Sequence, residues 1–308
     1  MRNPPRTGTP LRYPGGKQRL TPFVREVLLA NDLYGCAYAE PYAGGAGVAV
    51  SLLLAGDVSQ IHLNDADPRI AAFWTAATTH TDALCKFIES VELTVDEWRK
   101  HREVVKHPSD HDTLALGCST FYLNRCNRSG VLGGGLIGGK GQTGTWLMDA
   151  RFNRTNLVER IQCIGRLSDA ITVTALDAEV FATTWAKGNC SEQTLMYFDP
   201  PYYERAQSLY LNAYEPSDHA RVADTIQNSV THPWIVSYDN HTAIHALYGE
   251  RRSFVHELQY SAAKSYKGAE VFIFSDSVQV PSSSRMKSIE HALTRFPATR
   301  RAALRTGT

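Results

Sequence analysis

Four consecutive residues, Asp199-Pro200-Pro201-Tyr202, carry the strongest chemical signal in the sequence. They follow the apolar run 195–198, which predicts a strand, and ligands bind at the carboxyl ends of strands in open α/β sheets. Because proline has no N–H, the Pro200 carbonyl can face a ligand without a competing backbone donor. Asp199 and that carbonyl offer two acceptors to an exocyclic amine, whose delocalised lone pair needs them to attack an electrophilic methyl group. Tyr202 offers a flat face to a base flipped out of a duplex. Taken alone, the string also fits a strand-ending proline turn with an aspartate cap.

A glycine-rich string, EPYAGGAG at residues 40–47, lies between a short predicted strand and an apolar helix. Glycines allow close backbone approach to a ligand, and a helix N-terminus attracts an anionic group. Asp65 ends the next predicted strand, about 20 residues on, where an acidic residue usually meets ribose hydroxyls. Its alternative role is to cap the following helix together with Asp67, and Asp177, at the end of a later strand, has the same two interpretations. Alone, the string also fits an ordinary tight turn.

A third string, LRYPGGK at residues 11–17, combines an aromatic residue, two glycines and two cations before any regular element. Alone, it is typical of a solvated loop.

Alternating strands and helices must position these strings. The pattern from residue 37 to 76 is typical of the opening of a doubly wound sheet. Between residues 81 and 170 the strand pattern is absent, which predicts an inserted, mainly helical lobe. The glycine-rich segment 130–146 inside it is too long for a simple connection, and such loops are usually functional or mobile. Predicted helices cover 94–107, 114–126, 156–167 and 218–230. Later strands cover 171–177, 195–198, 234–240 and a closing antiparallel hairpin of 254–261 and 270–276 at the sheet edge.

Composition excludes several classes of protein. The chain has 308 residues, 43% of them hydrophobic and 20% charged, which is typical of one large globular domain with an inserted lobe. Six scattered cysteines without metal-ligand spacing predict free thiols and no metal site. The longest apolar stretch, 48–55, is too short to span a bilayer, and the first ten residues lack an apolar targeting segment, so we expect a cytoplasmic location. Both chain ends are rich in basic residues and could lie against phosphate.

Together, LRYPGGK, EPYAGGAG and YFDPPYY, in this order, resemble the Dam-type (α-group) adenine-N6-specific DNA methyltransferase family over roughly residues 10–276. The resemblance implies an α/β fold, a Rossmann-like seven-stranded methyltransferase sheet with an inserted mainly helical target-recognition lobe. It also implies transfer of a methyl group from S-adenosylmethionine to adenine N6 in duplex DNA, by base flipping and direct transfer. The expected organisation is a catalytic domain of residues 1–80 and 171–281, a recognition lobe of 81–170, and a basic, flexible tail of 282–308.

The resemblance also assigns site residues. The catalytic residues would be Asp199, Pro200, Pro201 and Tyr202. The residues around S-adenosylmethionine would be Tyr13, Gly15, Lys17, Glu40, Pro41, Tyr42, Gly44, Gly47, Asp65, Asp177 and Asp199. The contacts to DNA would come from Arg12, Asn124, Arg125, Arg128, Ser129 and Lys140.

The lobe departs from the family at one segment. Asn124-Arg125 matches the start of the family's N-R-x-x-Y-N-G-L-x-R string, whose tyrosine and asparagine enter the duplex and whose last arginine reads guanine in GATC-specific members. Here Arg128 and Ser129 stand in place of the Tyr-Asn pair, and Gly133 replaces that arginine. The resemblance therefore does not extend to GATC specificity. It also leaves open the oligomeric state and whether a companion restriction endonuclease completes a restriction-modification system.

Other functions remain as alternatives. Proline-proline-tyrosine turns also occur in methyltransferases that act on cytosine N4, on RNA or on glutamine side chains, although Asp at position 199 favours adenine. A catalytically inactive nucleic-acid-binding module would need neither Asp199 nor the glycine turn. A nicotinamide-dependent dehydrogenase would leave the Asp199 turn unexplained, and no Pro-Cys motif supports a covalent cysteine mechanism.

Overall fold

A single sheet of seven strands organises this computed structural model, which describes residues 8–13, 16–187, 193–203, 214–260 and 266–281. The strand order is β3-β2-β1-β4-β5-β7-β6; the first five in this order are parallel, and β7 runs antiparallel between β5 and β6. The strands are β1 (Ala37–Glu40), β2 (Gln60–Asn64), β3 (Ile171–Thr174), β4 (Thr194–Phe198), β5 (Trp234–Asp239), β6 (Arg252–Tyr260) and β7 (Tyr266–Phe274). This confirms the Rossmann-like seven-stranded sheet and its closing antiparallel hairpin.

The central strands β1 and β4 explain where a ligand can bind. Every residue of both strands is buried, as expected for parallel strands covered on both faces. The chain runs outward from β1 to β2 and β3 on one side, and from β4 to β5 on the other. The order therefore reverses between β1 and β4, and in open α/β sheets this switch point opens the crevice that holds ligands.

Ten α-helices among the described residues connect and cover the strands. They are α1 (Thr21–Ala30), α2 (Gly47–Ala55), α3 (Pro68–Thr79), α4 (Thr81–Ser90), α5 (Val95–Lys106), α6 (Thr113–Cys126), α7 (Arg154–Gly165), α8 (Ala178–Lys187), α9 (Pro216–Ser229) and α10 (Thr242–Leu247). Helices α5, α6 and α7 match the three predicted between residues 81 and 170. Helix α4 was not predicted, because only His80 separates it from α3 and no strong cap marks its start.

The helices between β2 and β3 share one hydrophobic core with the sheet. Phe73 of α3 stacks on Phe121 of α6 with ring centroids 5.8 Å apart, and Phe121 meets Phe152 edge to face. A second buried cluster, on β4, β5, α8 and α9, includes Phe198 and Val222. Helices α6 and α7 pack directly on α3 and share its core.

Among the described residues, no helix is both long and apolar enough to cross a membrane. No cluster of three or more His, Cys, Asp or Glu side chains in this part of the chain is arranged to hold a metal ion.

Candidate active site

A cavity of about 740 Å³ opens where β1, β2 and β4 end. Its walls come from the segment before α1, from the turns that follow these three strands, and from the loop after α6. Many of the residues singled out from the sequence line it together: Tyr13, Lys17, Glu40, Tyr42, Gly44, Gly47, Asp65, Asn124, Asp199 and Pro201. A volume of this size suits a cofactor rather than a single ion.

The glycine turn after β1 is built around Gly44. Its backbone has φ of +45°, its N–H donates to Asp65 Oδ2 at 2.8 Å, and its carbonyl accepts from Trp74 Nε1 at 2.9 Å. A Cβ at this position would lie 2.8 Å from the ring of Tyr13. Only glycine therefore allows this backbone conformation and the packing of Tyr13 against the turn.

Glu40 ends β1 with its carboxyl group on the cavity wall and only 5% of the residue exposed. The Ala49 N–H, in the first turn of α2, donates to its Oε1 at 3.0 Å. Burial raises the Glu40 pKa to about 8 despite that bond, so the group is mostly protonated at neutral pH when no cation is beside it. A bound ammonium group would ionise it.

Three aspartates that follow strands take different roles. Asp65 lines the cavity and accepts from the N–H groups of Gly44 and Asp67, and burial raises its pKa to about 6. Asp67, rather than Asp65, caps α3 by accepting from the Arg69 N–H at 3.0 Å. Asp177 is exposed, caps the first turn of α8 and does not line the cavity. The structure thus brings Asp65 to the cavity and leaves Asp177 outside it.

Asp199 follows β4 and reaches the cavity with about a quarter of its side chain exposed. Its Oδ1 accepts from Ser237 Oγ at 2.7 Å and lies 3.2 Å from Lys17 Nζ. Among the described residues no donor reaches Oδ2. Burial raises the pKa of Asp199, and Glu270 adds to the rise, while Lys17 and Ser237 oppose it. The carboxylate is therefore held through one oxygen and has the other available to a ligand.

Tyr202 lies in a buried polar cluster with Lys17 and Glu270. Lys17 Nζ donates to Glu270 Oε1 at 2.6 Å and to the Tyr202 hydroxyl at 3.0 Å, and that hydroxyl donates to Glu270 Oε1 at 2.5 Å. Burial lowers the pKa of Lys17, but Asp199 and Glu270 outweigh it and raise the pKa well above its usual value. The Tyr202 ring lies 5.1 Å from Lys17 Nζ and does not line the cavity, so its stacking on a base stays a prediction.

Sequence reasoning missed three residues of this site: Glu270, Ser237 and Tyr214. Glu270, on β7, was visible as a charged residue that opens the apolar run VFIF, and it is only 2% exposed. Ser237 gave no signal, because a serine in a strand is common. Tyr214 lines the cavity and its hydroxyl lies 3.0 Å from that of Tyr42.

Asn124, on α6, is fully buried and joins this helix to the N-terminal segment. Its Oδ1 accepts from the Arg12 N–H at 2.8 Å, and its Nδ2 donates to the carbonyls of Arg12 and Gly130 at 2.7 and 2.9 Å. The Arg12 guanidinium donates to the Asn127 carbonyl at 3.1 Å. These contacts give Asn124 a bracing role at the edge of the cavity.

The other predicted DNA contacts divide into two groups. Arg125 donates to the carbonyls of Arg151 and Pro10, and burial with the neighbouring Arg12 lowers its pKa to about 9. Three others are exposed: Arg128, Ser129 and Lys140. The exposed group can meet a ligand directly, whereas Arg125 supports the segment that precedes the cavity.

Two predicted residues lie away from the cavity wall. Pro41 turns its carbonyl to Asn64 Nδ2 at 3.0 Å, and Pro200 is buried beside Pro201. Gly15 and the basic tail 282–308 lie outside the described residues.

The chain is similar in sequence to a family of known methyltransferases and aligns with known methyltransferase structures. Residues 13–262 match the family described as D12 class N6 adenine-specific DNA methyltransferase. Two structures of the rRNA methyltransferase aviRa from Streptomyces viridochromogenes align with 13% identity over 85% of this chain and 86% of that chain, with TM-scores of 0.37 and 0.36. No curated protein matches the sequence. The family match covers most of the chain and contains both the glycine turn and the Asp199 turn. The chain therefore belongs to the D12 class N6 adenine-specific DNA methyltransferase family, and it is an enzyme with S-adenosylmethionine as its methyl donor.

Proposed function

We propose that Asp199 and the Pro200 carbonyl accept hydrogen bonds from the N6 amine of an adenine flipped out of duplex DNA. Asp199 lines the cavity and Pro200 does not, so the part given to the Pro200 carbonyl rests on its place between Asp199 and Pro201, which both line the wall. The assignment of Asp199 rests on the contacts made by its two carboxylate oxygens. Ser237 and Lys17 hold its Oδ1, and its Oδ2 has no donor among the described residues although the side chain reaches the cavity. An acceptor that is already oriented costs no reorganisation when the amine arrives.

S-adenosylmethionine supplies a methyl group bound to a positively charged sulfur, and the rest of the chemistry belongs to the protein. As the amine nitrogen gains a methyl group it becomes positively charged and must lose a proton. The raised pKa of Asp199 suits it to receive that proton and pass it to water. Two acceptors on the amine also favour a pyramidal nitrogen, whose lone pair can attack.

The cavity residues fit this cofactor. Glu40 is a buried carboxyl group that would ionise against the ammonium of a methionine moiety, and Asp65 is held by two backbone donors where it can accept from ribose hydroxyls. Tyr13 packs against the glycine turn between them. We assign these three residues, with Tyr42, Gly44 and Gly47, to cofactor binding, and place Asp177 outside the binding site.

Contacts to DNA fall to the exposed face of the lobe. Arg128 and Lys140 can meet phosphates, while Asn124 and Arg125 position the segment that carries them. Gly133 lines the cavity but has no side chain with which to read a base. The recognised sequence therefore differs from one read by an arginine at that position. We also propose that the protein is cytoplasmic and that it acts beside a companion restriction endonuclease.

The test is incubation of the purified protein with labelled S-adenosylmethionine and plasmid DNA, followed by nucleoside analysis and mapping of the modified sites. We expect N6-methyladenine at a defined sequence. Asp199→Ala should abolish product, with a loss of at least about 1,000-fold in kcat, while cofactor binding by calorimetry changes little. Asp177→Ala, which removes an exposed aspartate outside the cavity, is the matched control and should keep full activity.

Two results would contradict the proposal. Methylated cytosine or methylated RNA as the product would change the substrate class. A fully active Asp199→Ala variant would remove Asp199 from the chemistry.

A further inference from the structure

Glu270 has no role in the chemistry proposed above, although it contacts two residues of the site. It lies on β7, the strand of the terminal hairpin next to β5, and its carboxylate contacts Lys17 Nζ at 2.6 Å. Asp199 Oδ1 lies farther from the same nitrogen, at 3.2 Å. One buried lysine is thus shared unequally between two carboxylates, and the closer partner is the one outside the cavity lining.

The unequal sharing affects how well Asp199 can accept a hydrogen bond. A cation at close contact draws charge from a carboxylate and occupies its lone pairs, and both effects weaken its bond to an amine. With Glu270 as its main partner, Lys17 orients Asp199 Oδ1 without forming the closest ion pair with it. The Tyr202 hydroxyl, 2.5 Å from the same Glu270 oxygen, holds this arrangement from the other side.

We propose that Glu270 is a positioning residue for methyl transfer, which keeps Lys17 from a closer ion pair with Asp199. It touches neither amine nor cofactor in this arrangement and acts through Lys17. This inference rests on the proposed role of Asp199 as acceptor of the N6 amine.

Several other titratable groups face Glu270. Cross-strand pairing places Asp239 of β5 and His256 of β6 beside it on the same face of the sheet. Among the described residues, the charged and titratable groups around it include Lys17, Tyr197, Asp199, Tyr202, Asp239 and His256. Of these, Lys17 is the cation in contact with both carboxylates.

The test compares Glu270→Gln with the wild-type enzyme on DNA that carries the mapped site. Glutamine keeps an oxygen for the Lys17 and Tyr202 donors and removes only the charge. We expect kcat to fall roughly 10- to 100-fold, with KM for S-adenosylmethionine within about threefold. Since Glu270 raises the pKa of Asp199, the acidic limb of the kcat profile should also move to lower pH, by up to about one unit. Asp57→Asn is the matched control. Asp57 is a buried carboxylate that accepts from Arg25 Nε at 2.7 Å, and it does not line the cavity.

The outcomes separate the inference from the proposed function. If the wild-type enzyme makes no N6-methyladenine, the proposed function fails before Glu270 is reached. If it does and Glu270→Gln keeps the wild-type kcat, or loses activity without moving the acidic limb, Glu270 is structural and the inference is overturned. A loss that lies mainly in cofactor binding overturns it as well. Should Glu270→Gln fail to fold, Glu270→Asp decides: a shorter carboxylate should lower kcat and leave the acidic limb in place, and unchanged kcat contradicts the inference.

Discussion

The polar cluster at the cavity wall and the glycine-rich loop after α6 differ in burial and in the number of contacts that hold them. In the cluster of Lys17, Asp199, Tyr202 and Glu270, all but Asp199 are buried, and contacts of 2.5–3.2 Å join the four side chains. The loop after α6, residues 130–146, is partly buried in its first half, whereas its second half, from Lys140 to Trp146, is exposed except at Gln142, and Trp146 is 69% exposed. Chemistry at a fixed amine requires preorganised groups, whereas an exposed surface that binds a large partner can adjust to it. Substitutions in the two regions should therefore differ in what they damage.

The largest expected effect lies in the cluster. Lys17→Met would leave the carboxylates of Asp199 and Glu270 facing each other without a cation in a buried site. An uncompensated buried charge of this kind costs roughly 3–5 kcal/mol of unfolding free energy. Urea denaturation measures it, and Lys17→Met/Glu270→Gln should recover part of the loss, because one of the two facing charges is removed. Lys100→Met removes an exposed lysine of an ion pair on α5 and should hardly change stability. If Lys17→Met proved as stable as Lys100→Met, the ion pairs of Lys17 with Asp199 and Glu270 would not contribute to stability.

The second prediction concerns Gly130, the first residue of the loop, where the loop contacts Arg12. Gly130 has φ of +79°, and a Cβ there would collide with the carbonyl oxygen of Arg12. We expect Gly130→Ala to cost roughly 2–4 kcal/mol, through backbone strain and loss of the bracing around Asn124. Gly135→Ala is the control within the same loop, since nothing lies within 4 Å of its added Cβ. If both variants melt alike, Gly130 is no more constrained than Gly135, and the loop is not anchored at Arg12.

A smaller effect, with an opposite sign, is expected at Glu40. The folded chain keeps this carboxyl protonated up to pH about 8, while the unfolded chain releases the proton near 4.5. The folded state therefore binds more protons between these values, and stability falls as pH rises across them. Glu40→Gln should stabilise the protein by roughly 1–3 kcal/mol near pH 7 and by little at pH 4.5 or below, while it weakens S-adenosylmethionine binding.

Urea denaturation at the two ends of this pH window checks the stability effect, and calorimetry checks the binding. Glu89→Gln, at an exposed position on α4, controls for the substitution itself. A gain in stability that is the same at both pH values would show that Glu40 does not hold its proton in the folded state.

Most of the fold and part of the site could be predicted from the sequence. The sheet, its closing hairpin and three lobe helices were predictable, because apolar periodicity reports burial and the chain buries these elements in the expected way. The cavity residues Glu40, Asp65 and Asp199 stand at strand ends, and parallel strands bring their ends together whatever the details of packing.

What the sequence could not show depends on long-range contacts. Glu270 meets Lys17 across 253 positions of chain, and no local pattern encodes that pair. Asn124 was predicted to contact DNA, but its side chain is used to hold Arg12 and Gly130. The ring of Tyr202 lies against Lys17 for the same reason: a side chain's partners are decided by the elements packed around it.

The smallest expected effect on stability belongs to Trp146. Because the side chain is largely exposed, Trp146→Ala should change the unfolding free energy by less than about 0.5 kcal/mol. In the sequence Trp146 stands between Lys140 and Arg151, and an exposed indole is suited to stack on bases, so we expect DNA affinity to fall about 5- to 10-fold. Anisotropy at several salt concentrations should show an unchanged salt slope, whereas Lys140→Ala should reduce the slope by about one. Tyr34→Ala, at an exposed aromatic outside the lobe, should bind DNA as the wild type does. If Trp146→Ala also binds normally, the exposed end of the loop does not face the duplex, and recognition must be carried by the braced residues at its base.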